Sequence, residues 1–497
     1  MEQQVADRRE SQDLVDAITQ VAREHPRTPA VIQDSNTLTY AELAEHALMI
    51  AGAISVGSAK PCPRILLALS ASPLAYAAMT GTLLAGGTFC PVDLDGPKAR
   101  NEAICRLFAP DVVLYDGEIP EFADLAPVSM RMLDVSAVDD CSPGTPSSDR
   151  SEVAYVVFTS GTTGEPKGVK IGRREFSYFL HVAQTYFNVG IGERFAQWSP
   201  LSHDLGVMDV FMALCHGGAL VPLTRADRMR PALAIQRHRI AIWQSVPSAR
   251  DLMKRAGHLT AEYLRSLRLM SFCGAPLRPH ELKSLFAACP DLQVFNTYGA
   301  TETTGFNTLN DLTKANYDSV CHGTDVSIGD DVPGWTLLLR GGESEDEGEI
   351  VLAGDYLSLG YWLDEDKTRT AFRQITTASG TQRCYFTGDL GLRRGGRVFC
   401  VGRKDNQVKI CGERIELEEV DSALRQLGFD NACTVYHDGE LYAFVETTAS
   451  VEQERIRDLL HQHLSFHAIP KSIRATPVLP RNPNGKLDRE ALRREIA

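Results

Sequence analysis

An apolar run of seven residues, AYVVFTS at 154–160, empties directly into a loop, GTTGEPKG. That junction limits the architectures open to the chain more than any other feature. A short apolar run bounded by turn residues reads as a buried strand. The loop after it is dense in glycine and hydroxyl residues and carries a lysine. Glycines such as Gly161 and Gly164 let backbone N–H groups converge on an anion, and Thr159, Ser160, Thr162 and Thr163 add side-chain donors. With Lys167 inside it, FTSGTTGEPKGVKIG reads as a phosphate cradle. It is not a Walker loop, because the GK[ST] ending is missing.

The residues before this junction alternate between strand and helix patterns. Leu14–Glu24 predicts an amphipathic helix ahead of a strand at Ala30–Ile32. LTYAELAEHALMIAGAI predicts a helix capped by Thr39, with Glu42 at the capping-box spacing. RILLALS and PDVVLYD read as strands on either side of a helix in SPLAYAAMTGTLLAGG. Alternation of this kind predicts an α/β fold with a mostly parallel sheet. DCSPGTPSSDRSE, between Asp139 and Glu152, reads as an exposed linker. After the cradle, Phe176, Phe179, Leu180, Ala183 and Phe187 fall on one helical face. Beyond the acidic loop GGESEDEGE the pattern turns strand-rich. The last stretch has short strands (VKI, CTVYHD, LYAFVE), a helix predicted over Gln453–Leu464 and a basic tail. The change of character puts a domain boundary at Lys404–Asp405, giving expected domains of 1–404 and 405–497.

Composition excludes some function classes. A net charge of −13 argues against nucleic acid as a partner, since phosphate backbones need a basic face. The 12 cysteines include no CxxC pair and fit no zinc framework; they are expected to be reduced thiols. No run reaches the roughly 18 apolar residues that span a bilayer. The polar N-terminus carries no signal core. The expectation is a soluble cytoplasmic protein without a membrane partner.

The cradle resembles the signature loop of the adenylate-forming enzymes: adenylation domains of nonribosomal peptide synthetases, acyl-CoA ligases and luciferases. The resemblance continues in order through LTYAEL, LLAGGTFCPVDLD, NTYGATETT, GEIVLAGDYLSLGYW, YFTGDLG, GRKDNQVKICGERIELEEVD and NPNGKLDREAL, and so spans nearly the whole chain. It implies a large N-terminal domain of layered sheets flanked by helices and a small mobile C-terminal α+β domain. It further implies that ATP and Mg2+ are used. Tyr298 would stack on adenine. Thr301 would bond the α-phosphate, and Glu302 would hold the metal as a hard oxygen ligand. Asp389 would accept from both ribose hydroxyls, with Arg403 beside it. Lys486 would close over the site while the acyl adenylate forms, and Asp405 would be the hinge.

The resemblance also points to the acid. In SPLSHDLGVMDVF, Asp204 falls where relatives that activate amino acids carry the aspartate that binds the α-amino group. His203 departs from the phenylalanine usual before it. The implied pocket is lined by Asp204, Leu205, Met208, Gln244, Ser271, Cys273, Gly274, Thr297, Gly305 and Phe306. VMD, IWQSVPS and SFCGAPL resemble the D-alanine–carrier protein ligases, and Asp204–Leu205 resembles the start of the pocket in free-standing prolyl ligases; a small amino acid such as alanine, glycine or proline is the expected substrate. The chain stops soon after Lys486, so transfer is expected to the phosphopantetheine thiol of a separate acyl or peptidyl carrier protein. Two other readings stay open: an acyl-CoA ligase, and a catalytically silent binding subunit.

Overall fold

The computed structural model describes residues 13–34, 36–58, 60–122, 130–140, 142–160, 165–377, 380–429, 431–481 and 487–496. Local signals set many of the element starts. Asp13 accepts from the Val15 amide at the head of Leu14–Glu24. Thr39 and Glu42 close the predicted capping box at the head of Tyr40–Gly57. Ser72 caps Pro73–Leu84, with proline in the first turn, where its missing N–H costs nothing.

Two large sheets follow from the alternation. The first runs Arg131–Asp134, Val112–Tyr115, Arg64–Ala68, Thr88–Pro91, Val153–Thr159 and Lys167–Gly172. Its neighbours pair in parallel until the last strand, which turns back antiparallel on the far side of the cradle. The second has nine strands. Its parallel centre includes Arg194–Gln197, Ile242–Ser245, Leu269–Phe272 and Gln293–Ala300, and antiparallel strands close both edges.

Four helices, Tyr40–Gly57, Pro73–Leu84, Arg173–Phe187 and Asp204–Leu214, share one core with residues of both sheets and therefore lie between them. The predicted stripe Phe176, Phe179, Leu180, Ala183 and Phe187 is buried there. Phe176 meets Tyr155 of one sheet at 5.1 Å and Phe211 of the facing helix at 5.5 Å, both edge-on. Outer helices cover the remaining faces. Ile104, Cys105 and Phe108 pack on the first sheet, and Ile235, Met253, Leu282 and Leu285 pack on the second. A five-stranded antiparallel sheet spans Trp335–Arg403. Beyond it a small α+β domain has its own core around Ile415, Val420, Leu424, Ala443 and Ile473. Its helix ends at Leu460, short of the predicted Leu464, because bonds from Gln462 and His463 to carbonyls three residues back tighten the last turn. No helix among the described residues is long and apolar enough to cross a membrane.

One expectation is corrected. The stretch 142–151 is exposed by side chain but is no free linker. Its backbone is tied to the first sheet's helices: Gly144 N donates to Leu48 O, Ser147 N to Leu84 O and Ser151 N to Gly86 O. Composition reports side-chain polarity and says nothing of these amides. The contact is close at Gly52, where a Cβ would meet Ser142 O at 2.4 Å and Gly144 N at 2.8 Å. Gly52→Ala is therefore expected to cost on the order of 1–3 kcal/mol, as overpacking against backbone does. The urea midpoint measures it, with Val56→Ala, at a 79% exposed position of the same helix, as control. An unchanged midpoint for Gly52→Ala would mean that the 142–151 segment gives way freely.

Candidate active site

The parallel strands of both sheets end on one cavity, as the rule for ligand sites in α/β sheets expects. Its wall takes Phe158–Ser160 from the first sheet, Cys273 and Gly274 from the second, and Ser202–Leu205 from the head of the helix Asp204–Leu214. Asp389 and Arg403 line it from the antiparallel sheet. The remaining side is closed by the small domain, whose hairpin Gln407–Ile410 and Glu413–Glu416 presents Lys409, Gly412 and Arg414. Gly412, at φ +87°, sits so close to the large domain that a Cβ would meet Val246 Cγ1 at 2.4 Å.

The charged centre is Glu302, held inward by the 3-10 turn Thr301–Thr303 and fully buried. Arg414 Nη1 donates to its two oxygens at 3.0 and 3.1 Å. Tyr361 Oη donates to Oε1 at 3.0 Å, and Lys167 Nζ lies 3.4 Å from the same atom. Burial alone would raise the Glu302 carboxyl, but Arg414 and then Lys167 outweigh it and hold it well below the usual carboxylate range. Burial lowers the Lys167 ammonium, Arg414 adds to this, and Glu302 opposes it. The backbone of Arg414 is fastened as well: Ser160 Oγ donates to its carbonyl at 2.5 Å.

A second chain of charges runs beside it. Strand register sets Asp389 opposite Arg403, and the two form an ion pair. Tyr298 Oη donates to the other Asp389 oxygen at 2.6 Å, while Arg403 Nε and Nη2 donate to Asp405 at 2.6 and 2.7 Å. At the opposite wall, Thr301 Oγ1 donates to Asp204 Oδ2 at 2.6 Å, and Leu205 N donates to Oδ1 at 2.8 Å. Asp204 is half-buried and already has partners within the chain.

Of the expected site residues, Thr159, Ser160, Asp204, Leu205, Met208, Cys273, Gly274, Thr301, Gly305, Phe306, Asp389 and Arg403 line the cavity. Gly161, Thr162, Thr163, Gly164 and Lys486 lie outside the described residues. Arg481 and Leu487, which flank the last of these stretches, pair with each other, and Leu487 packs on the small domain's sheet. Several residues stand elsewhere than expected. Gln244 and Ser271 are register partners one pleat deeper in their strands than Cys273, which closes the floor above them. Thr297 turns its hydroxyl to Phe272 O. The partly exposed Tyr298 ring packs on the cluster around Ile328, Ile350 and Leu352, and its hydroxyl reaches Asp389. Lys167 and Glu302 lie behind the wall. Thr159 Oγ1, Ser271 Oγ and Arg414 Nε are buried with no protein partner among the described residues. The sequence reading did not single out Arg414, Tyr361, Lys409 or Glu419. All four stand in the motif strings given above, but nothing local marks the meeting of Arg414 and Tyr361 with Glu302.

With this geometry in hand, comparison with known proteins is decisive at the family level. Residues 18–362 match the family model described as AMP-binding enzyme. The chain belongs to the AMP-binding enzymes. A D-alanine–D-alanyl carrier protein ligase of Staphylococcus epidermidis is 30% identical over 97% of this chain and 98% of its own length. Among solved structures, the Vibrio cholerae adenylation domain AlmE, in complex with glycyl-adenosine-5′-phosphate, has a TM-score of 0.81 at 24% identity and covers 97% of both chains. A nonribosomal peptide synthetase protein containing adenylation and peptidyl carrier domains has a TM-score of 0.84 at 25% identity over 97% of this chain and 84% of its own. This AMP-binding enzyme is a ligase, with a large N-terminal and a small C-terminal domain.

AMP-binding enzymes use ATP with Mg2+, and the donor set here fits a metal that arrives with its nucleotide. Among the described residues no cluster of three or more His, Cys, Asp or Glu could hold a metal alone. One hard carboxylate beside a phosphate cradle is what Mg2+ needs when phosphates and water supply its other ligands.

The domain contact itself is titratable. Glu419 of the small domain lines the cavity 3.6 Å from Arg100, whose Nη2 donates to Phe158 O. Burial pushes the Glu419 carboxyl up to about 7; Arg100 opposes this, and Glu413 and Glu416 add to it. An unfolded glutamate releases its proton near 4.3. Between those values the folded state holds more protons, so stability falls as pH rises. Glu419→Gln is expected to remove that slope, which amounts to up to about 3 kcal/mol between pH 4.5 and 7.5. Chemical denaturation of both proteins at several pH values measures it; a constant difference between them would contradict the assignment.

Proposed function

We propose that this ligase activates a small amino acid as its aminoacyl adenylate, releasing pyrophosphate, and passes the aminoacyl group to the phosphopantetheine thiol of a separate carrier protein. One observation carries the reading. A carboxylate, Asp204, stands in the cavity within hydrogen-bond distance of Thr301, the hydroxyl expected at the α-phosphate. An amino acid whose ammonium sits on Asp204 has its own carboxylate beside that phosphate, ready to attack in line. Met208, Cys273 and Phe306 close the cavity around the side chain, so a small one fits best. D-Alanine is the first candidate, since the curated relatives that match nearly end to end carry it in their names. Those names also support a carrier protein as acceptor.

In this reading the backbone and hydroxyls of the cradle with Lys167 bind the phosphates, and Asp389 with Arg403 orients the ribose. Glu302 would hold Mg2+, which supplies charge neutralisation at the phosphates when bound. A cation from Lys486 would offset the crowded negative charge of the first step. The small domain would then turn about Asp405 to admit the thiol.

Pyrophosphate exchange over both enantiomers of alanine, with glycine, proline, propionate and fatty and aryl acids, tests the substrate class. D-Alanine is expected to lead and propionate to fail. Asp204→Ala should narrow that gap by on the order of 3 kcal/mol, the scale of leaving a charge without its partner. Equal exchange with alanine and propionate in the wild type would return the reading to an acyl ligase, and thioester formation with free CoA but no carrier would change the acceptor. Lys486→Ala is expected to slow adenylate formation at least tenfold more than transfer from preformed adenylate. Equal losses in the two half-reactions would remove that lysine from the first step.

A further inference from the structure

A large apolar side chain standing alone in water needs no explanation. Two of them on the rim of one cavity, one from each domain, do. Phe466 is 75% exposed and Leu94 is 42% exposed. Their chain neighbours line the cavity: Asp93 and Gly96 around Leu94, Ser465 and Ala468 around Phe466. The cavity wall therefore reaches the surface at both places. The two stretches of rim lie side by side. A neighbouring cleft takes Ala99 and Arg100 from one and His463 and Leu464 from the other, and Arg100 lies 3.6 Å from Glu419 across the same cleft.

Both side chains are held outward by fixed backbone. Leu464 and Ala468 are buried in the small domain's core on either side of Phe466. The 3-10 turn Phe466–Ala468 closes on Ser465, whose carbonyl accepts from Ala468 N at 3.0 Å. The exposed ring is flanked by His461, stacked at 6.1 Å, and His467, edge-on at 5.4 Å. Leu94 stands at the tip of a turn in which Gly96 N donates to Asp93 O at 3.1 Å and Asn101 Nδ2 donates to the same oxygen at 2.7 Å. Apolar groups presented on pinned turns lose little freedom when a partner covers them.

We infer that Leu94 and Phe466 form the seat for the acceptor protein, a small carrier whose surface is apolar beside the serine that bears its phosphopantetheine arm. The inference rests on the proposed carrier as acceptor and names where it docks. Charge selects the occupant. Free CoA brings a diphosphate and a nucleotide phosphate, which call for cations. The turn at Leu94 offers Asp93 and Asp95 instead, and the cations after it are already matched, Lys98 by Glu121 and Arg100 by Glu419. An aromatic anchor on a rim without open cations suits a protein surface, since interface centres are rich in aromatics and poor in charge. The two halves belong to different domains, so the whole seat exists only while the small domain stands against the cavity as it does here.

The test uses the full chain with a carrier protein of the D-alanyl type, the acceptor that the relatives' names specify. Dye-labelled apo carrier reads binding by anisotropy, holo carrier reads loading, and pantetheine supplies the thiol arm without a protein. Phe466→Ser should weaken carrier binding about thirtyfold and Leu94→Ser about fivefold, the scale of a central and a peripheral contact. KM for the holo carrier should rise by the same factors, while its kcat and transfer to pantetheine stay at wild-type values. Phe466→Tyr, which keeps the ring, should bind as wild type does, and so should Val478→Ser, at an exposed position of the small domain away from the cavity's lining. Equal carrier binding by wild type and Phe466→Ser would overturn the seat. So would a wild type that transfers to CoA or pantetheine but neither binds nor loads the carrier. A wild-type dimer that Phe466→Ser converts to monomer would give the rim to a second copy of the chain and overturn it as well. Pyrophosphate exchange is read separately. Its absence with every acid would overturn the adenylation reading, while Phe466-dependent binding of the apo carrier would still support the seat.

Discussion

A fully buried glutamate is costly unless its charge is met, and the meeting of partners at Glu302 organises this molecule. Those partners come from three separate places. Lys167 lies just beyond the cradle, Tyr361 follows the strand Glu347–Gly354 of the antiparallel sheet, and Arg414 stands on the small domain. Breaking a buried pair by removing one member typically costs about 3–5 kcal/mol. The carboxylate thus ties the cradle, the antiparallel sheet and the C-terminal hairpin to one point, although the hairpin belongs to a separate hydrophobic cluster. Apolar packing builds those bodies. This ion cluster sets how they face one another across the cavity.

The same economy of charge explains how an acidic chain can hold a polyanion. The net charge is −13, yet the cavity gathers Arg403, Lys409 and Arg414, with Lys167 behind its wall. Each cation in the two chains described above is matched: Arg403 by Asp389 and Asp405, Arg414 and Lys167 by Glu302. Matched cations keep their positions without ligand and can exchange partners when an anion arrives. A site of this kind needs no basic surface, so an acidic composition leaves a nucleotide open.

What was legible in the sequence was local or carried by motif. The capping box at Thr39 and Glu42, the helix Leu14–Glu24 and the phenylalanine stripe 176–187 follow from spacing alone, because their partners are within a few turns. The strand before the cradle was legible as an unbroken apolar run. The ordered motifs brought most of the cavity wall together on paper, from Thr159 to Arg403. Depth was not legible: Gln244 and Ser271 sit one pleat behind Cys273, and a motif position does not encode distance along a strand. Nor was the direction of a side chain with two ends. Tyr298 packs part of its ring on the cluster around Ile328, Ile350 and Leu352 and gives its hydroxyl to Asp389. The 142–151 stretch reads as a linker because its polar side chains are exposed, while the amides that hold it are invisible in composition. Arg414 is the clearest case. Its meaning lies in a contact across 112 residues of chain and between two domains, which no window on the sequence contains.

The hydrogen bond between Thr301 and Asp204 carries a further consequence. It joins the end of the cavity that would read an amino group to the end that would hold the α-phosphate, through one hydroxyl at 2.6 Å. Thr301 is adjacent in sequence to Glu302, so the turn Thr301–Thr303 points one residue at Asp204 and the next at the ion cluster. A hydroxyl has one proton to donate. If Thr301 gives that proton to a phosphate oxygen, Asp204 loses it and needs another donor, and a substrate ammonium is the natural one. If no ammonium is present, the Thr301 hydroxyl keeps donating to Asp204 and the phosphate goes without. Amino-group recognition and phosphate binding are then coupled through a single proton rather than through motion. An acid lacking the amino group would be disfavoured twice, once at Asp204 and once at the phosphate, which is how a half-exposed carboxylate can discriminate more sharply than its burial alone allows.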